Sequence, residues 1–155
     1  MKAEAPLKWV AEDGDDLNVM SAAAQDALVR AGDMRFDAGA RRFSLNVLRF
    51  RWEADKREAP FERTQAALAF DSVLGVRTKR LRRDAPDALA QILSIAFEAD
   101  AEPPGGVVRI VLAGGGEIAL DVECVDAALI DVGESWRTGR RPDHELEPKQ
   151  KSETK

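Results

Sequence analysis

The stretch VVRIVLAGGGEIALDVE, residues 107–123, restricts the fold more than any other part of the chain. Val108, Ile110 and Leu112 alternate with Val107, Arg109 and Val111; after three glycines, Ile118, Leu120, Val122 and Cys124 alternate with Glu117, Ala119, Asp121 and Glu123. A period of two puts one set of side chains on each face of a strand. Gly114, Gly115 and Gly116 can take the positive φ that hairpin loops demand. The expectation is a β-hairpin with a three-residue loop at 114–116, pairing Leu112 with Ile118, Ile110 with Leu120 and Val108 with Val122. That register also sets Arg109 opposite Asp121, a favourable cross-strand pair. A slip by one residue would turn the whole apolar set outward. Cys124 falls on the inward face, as a small, buried and unreactive residue.

One apolar face needs a cover, and the rest of the chain supplies short strands and a helix. Residues 7–11 form a strand candidate around Trp9. Asp15 or Asp16 can cap a helix over about 17–25, with Leu17, Met20 and Ala24 at helical spacing. Residues 27–30 either extend that helix or begin a strand. Met34 and Phe36 meet Phe43 and Leu45 if 38–41 form a loop, which places Asp37 opposite Arg42. Along this second arm the apolar phase moves from Phe43, Leu45 and Val47 to Leu48, Phe50 and Trp52. Such a switch marks a β-bulge near 47–48, or a strand turning from one sheet to another.

Residues 53–63 are charged, contain Pro60 and read as an exposed loop. A single long strand over 66–78 then carries Leu68, Phe70, Leu74 and Val76. Asp84, ahead of Pro86, can cap a short helical turn. Leu93, Ile95 and Phe97 alternate in a further strand, closed by AEPPGG. After Glu123 the pattern blurs into a bulged or bent strand.

Strands outnumber helices and short loops join them, which defines an α+β, mainly antiparallel fold. The expected form is a strongly curved sheet or half-open barrel, pleckstrin-homology-like as an analogy, with one N-terminal helix across an opening. A chain of 155 residues fits one domain, placed at 1–136. From 137 to 155 the sequence is polar, with Pro142 and Pro148, and reads as a disordered tail. Four segments together, SAAAQDALVRAGDMRF, RRFSLNVLRFRWE, FDSVLGVRTKRL and GGGEIALDVECVDAALIDVG, resemble a family of small uncharacterised bacterial proteins, mainly alphaproteobacterial, catalogued as domain of unknown function 2948. The resemblance spans roughly residues 7–142 and implies a cytoplasmic protein with no assigned activity and no catalytic residue to carry over.

The residues themselves point away from familiar chemistry. One histidine and one cysteine cannot form a zinc set, which needs four N or S ligands. No metal ligand, catalytic residue or cofactor motif is assigned. The triple glycine precedes a strand, whereas a phosphate-binding loop would open a helix. Asp121 and Glu123 share a strand face, but acids there usually serve solubility. No apolar run reaches the roughly 20 residues of a membrane span, and a lone cysteine fits a reducing cytoplasm.

The densest positive charge is Arg77, Lys79, Arg80, Arg82 and Arg83, five cations in seven residues. They are candidates for binding an anionic ligand or acidic partner. The plainer reading is a solvated strand end that discourages edge-to-edge pairing. The favoured function is a non-enzymatic binding or interaction module whose partner is an unidentified protein or anionic ligand. The alternatives are an RNA- or nucleotide-binding accessory protein using the basic run, and an enzyme whose acids meet only in space. Nucleic acid is the weaker choice, because the net charge is −5 and no aromatic residue is interleaved in the run. No feature of the sequence specifies an oligomeric state.

Overall fold

The computed structural model describes residues 8–50, 61–81, 85, 87–132 and 136–138. Its strands form one antiparallel sheet in the order β1-β10-β5-β4-β2-β7-β8-β9-β6, with β3 added to β4 and β11 to β5. These strands are β1 (Lys8–Ala11), β2 (Leu28–Arg30), β3 (Arg35–Asp37), β4 (Arg42–Phe50), β5 (Phe61–Phe70), β6 (Val73–Lys79), β7 (Leu89–Ala99), β8 (Gly106–Leu112), β9 (Glu117–Val122), β10 (Ala127–Asp131) and β11 (Trp136–Thr138). The sheet curls without closing, as the α+β reading expected. Its concave face holds Leu45, Val47, Leu68 and Phe70 from one half and Ile95, Ile110, Ile118 and Leu120 from the other. Burying each such side chain contributes roughly 1.5–3 kcal/mol before entropy is counted.

The helix α1 (Gly14–Ala24) starts earlier than periodicity alone suggests, because Asp13 is the cap. The Asp16 N–H donates to Asp13 Oδ1 at 2.8 Å, and the Glu12 N–H donates back to Asp16 Oδ2 at 2.9 Å. Asp15 and Asp16 sit instead in the first turn, where the helix dipole favours acids. Leu17, Met20, Ala23 and Ala24 form the buried stripe, which packs against β7 and β1. The helix stops at Ala24, and Asp26 with φ 66° reverses the chain into β2.

β7 belongs to both halves of the sheet. Its first residues pair with β2 (Leu28 with Gln91), and its later ones pair with β8 (Ile95 with Ile110). A register shift between Ile92 and Ser94 lies at this changeover, and the bulge bends the sheet there. It also turns Ile92 inward and leaves Leu93 40% exposed, so Leu93 does not share the face of Ile95 as the alternation suggested.

Three sequence expectations are corrected here. The long strand over 66–78 is two strands: β5 pairs with β4 and β10, whereas β6 pairs with β9 in the other half. Ser72, at φ 62°, makes the corner between them, and Arg63, expected in the preceding loop, already pairs with Phe50 inside β5. Second, β4 has no bulge: its register with β5 is regular from Phe43–Phe70 to Phe50–Arg63. The apolar phase shifts because Arg49, not a hydrophobic residue, occupies the inward position after Val47, and it is fully buried.

The third correction concerns the 107–123 hairpin. Its loop has three residues, but they are Ala113–Gly115, and Ile110 pairs with Ile118 and Val108 with Leu120. Gly114 (φ 88°) and Gly115 (φ 96°) supply the positive φ, whereas Gly116 is extended. The two-residue shift keeps every apolar residue inside, so alternation could not detect it. Arg109 therefore faces Ala119, not Asp121.

The shorter hairpin matches its expectation, with Phe36 opposite Phe43 and Asp37 opposite Arg42. Cys124 is half-buried rather than buried, in the segment that leaves β9 for β10. Arg137 and Thr138, placed in the tail by composition, lie in β11, and residues 139–155 fall outside the described part. Asp84 and Pro86 also fall outside it; the turn there is a bond from the Ala88 N–H to the Ala85 carbonyl.

The cleft between β3 and β6 as the candidate functional site

The corner where the chain passes between the two halves is tied together. The Asp71 N–H donates to the Asp126 carbonyl, the Glu123 N–H to Ser72 and the Val73 N–H to Arg41, each at 2.8–2.9 Å. Ion pairs Arg41–Glu123 at 2.9 Å and Arg42–Asp71 at 2.8 Å add to it. From this corner β6 and the β3–β4 hairpin diverge, and no described strand fills the gap. What remains is a cleft of about 360 Å³. Its walls are Met34, Phe36 and Phe43 on one side and Val76 and Leu81 on the other, with Ala31 and Gly32 from the 3-10 turn after β2. Arg35 and Thr78 are the polar lining groups. Phe36 is 37% exposed, so part of the apolar wall faces solvent.

The basic run borders this cleft, and the structure separates its members. Arg77 points to the outer face, where its guanidinium donates to both oxygens of Asp121 at 2.7 and 3.3 Å. This hydrogen bond and the carboxylate charge raise the Arg77 pKa further above its ordinary value. Lys79 is opposite Glu117 in register, but Glu117 is held by Arg109, which also reaches Glu98. Arg80 adopts φ 53° and folds over the β8–β9 turn. A Cβ on Gly115 would lie 2.9 Å from Arg80 Nη1, so the glycine there admits the arginine as well as the positive φ. Arg82 and Arg83 lie outside the described residues. Among the described residues, Arg35, Lys79 and Arg80 make no ion pair, whereas Arg41, Arg42, Arg49, Arg77 and Arg109 each hold a carboxylate. Of the first three, Arg35 lines the cleft, while Lys79 and Arg80 follow the cleft-lining Thr78 in the chain; Lys8 and Arg30 likewise make no ion pair among the described residues.

A second concentration of charge is buried at the far end of β4 and β5. Arg49 donates through Nε and Nη2 to the two Asp131 oxygens at 2.8 and 2.9 Å, and lies 4.6 Å from the Trp9 ring centroid. Asp26 is fully buried and accepts from Gln91 Nε2 at 2.7 Å. Burial lowers the pKa of Arg63, and the charge of Asp26 offsets part of that shift. The bidentate geometry and the stacking ring mark Arg49–Asp131 as a pair that orders the core end. It was missed from sequence because an arginine in an apolar alternation reads as a change of phase. The signal was present: Arg49 continues the inward positions of Phe43, Leu45 and Val47. Among the described residues no three His, Cys, Asp or Glu side chains gather into a metal site.

Fold and site together define an α+β protein with a curled antiparallel sheet and a partly apolar cleft at its open edge. The chain belongs to the family described as Protein of unknown function (DUF2948), whose model matches residues 7–144. No curated protein and no solved structure matches it. No helix among the described residues is long and apolar enough to cross a membrane.

Proposed function

We propose that the protein is a non-enzymatic binding module of the cytoplasm and that its ligand enters the cleft between β3 and β6. The observation that carries this reading is the cleft itself, about 360 Å³ with apolar and polar surface in near-equal share and Arg35 among its lining residues. Binding sites are concave and mainly apolar, with a few polar groups that orient the ligand. The cytoplasm is the proposed compartment because the single cysteine needs no oxidising environment. The RNA reading is weaker: Arg77 is occupied by Asp121, and a net charge of −5 repels a phosphate backbone.

The test compares wild type with Thr78→Trp, which puts a large ring at the cleft from an exposed position. Thermal-shift screening against nucleotides, dicarboxylates, acidic peptides and RNA should find a stabilising ligand. A ligand at about 100 times its Kd adds about 2.7 kcal/mol. The shift should vanish in Thr78→Trp while that variant's own melting point stays close to wild type. A ligand that stabilises both proteins equally would place binding elsewhere and defeat the proposal.

A further inference from the structure

Resting on that reading of the cleft, we infer that its occupant is an extended acidic segment of a partner protein, which adds as a strand along the open edge of β6. β6 ends the sheet order and, among the described residues, pairs with β9 alone. At its start the Val73 N–H is held by the Arg41 carbonyl; beyond that point the β3–β4 hairpin no longer accompanies it. In an antiparallel strand alternate N–H and C=O groups point away from the paired neighbour, so the later part of β6 offers a row of them toward the cleft. An incoming peptide backbone satisfies such groups directly, and pockets for alternate side chains supply selectivity.

The side chains specify which peptide. Val76 and Leu81, with Met34 and Phe36 across the gap, form an apolar wall that suits every second residue of an extended segment. Arg35 lines the cleft, Lys79 follows Arg77 on the outer face of β6 and Arg80 folds over the β8–β9 turn. None makes an ion pair among the described residues, and they suit carboxylates at the intervening positions. The acids of the neighbouring outer face are engaged, Asp121 by Arg77 and Glu117 by Arg109, and Asp37 accepts from the Ala40 N–H. Asp33, in the 3-10 turn two residues before Arg35, offsets one of the three cations. The same cations oppose a parallel, in-register pairing of β6 with a second copy of this chain, which would set Lys79 and Arg80 against their equivalents. Nucleic acid has no strand-like backbone to complete the edge.

The experiment titrates the full chain, labelled for amide NMR, with a short synthetic peptide in which glutamate alternates with valine or phenylalanine. Controls are the same peptide with lysine for glutamate, and two versions N-methylated along one edge or the other. The glutamate peptide should shift and protect from exchange the amides of β6, and one N-methylated edge should abolish binding while the other does not. Lys79→Ala and Arg35→Ala should each weaken binding about tenfold, and Lys8→Ala on β1 should not. Equal binding of the lysine peptide, indifference to both N-methylated edges, or RNA displacing the peptide from β6 would overturn the inference. If only a small anion binds, and Thr78→Trp abolishes that binding, the inference falls and the cleft reading stands. If nothing binds in the cleft, both fall.

Discussion

Replacing Asp131 by alanine tests whether the buried pair with Arg49 orders the core end. The Arg49 side chain has no solvent exposure and that of Asp131 is 9% exposed, so both charges are desolvated. Two parallel bonds, at 2.8 and 2.9 Å, offset that desolvation in the native state. Removing the carboxylate leaves the guanidinium buried with its bond to the Phe50 carbonyl and its contact with Trp9. Breaking a buried pair from one side costs about 3–5 kcal/mol, and the contacts that remain argue for the lower figure. At about 2–4 °C per kcal/mol for a chain of this size, the melting point should fall by about 6–12 °C. The double variant Arg49→Met with Asp131→Leu replaces the pair by apolar volume and should recover most of that loss. Urea unfolding followed by circular dichroism, at constant m-value, measures all three proteins. A single-variant cost under about 1 kcal/mol, or a double variant worse than the sum of both singles, would refute the reasoning.

The remaining predictions use the same assay or simple chemistry. Gly106→Ala should be far more damaging than Gly114→Ala, because a Cβ at 106 would collide with the Glu98 carbonyl and the Phe97 ring, whereas at 114 nothing lies within 4 Å. The Gly114 variant should lose only the roughly 1–3 kcal/mol of a strained φ, and equal losses would mean the turn is misplaced. Double-mutant cycles should show coupling for Arg109 with Glu117 and for Arg77 with Asp121, but none for Arg109 with Asp121. Coupling in the last pair would restore the hairpin register expected from sequence. Cys124 is half-buried, so a thiol reagent should label it slowly without denaturant; labelling only after global unfolding would place it in the core.

Local pattern determined the elements, and long-range packing decided how they met. Alternation identified the strands around Val108, Phe43 and Leu68, and the Asp37–Arg42 register followed from the short loop between those arms. The curled antiparallel class followed from strands joined by short connections. A period of two, however, is unchanged by a shift of two residues, so it could not separate Ile110–Ile118 from Ile110–Leu120. Cross-strand charge was the remaining guide, and it failed because each charge had a choice of neighbours. Asp121 turned to Arg77 on β6 and Arg109 to Glu117 and Glu98, and β6 and β7 reach the hairpin only through the fold. The burial of Arg49 likewise depended on Asp131, 82 residues away. The basic run was legible as charge, but its proximity to a partly apolar cleft was not. That cleft exists because β6 and the β3–β4 hairpin diverge from a shared corner, a geometry set by how far the sheet curls.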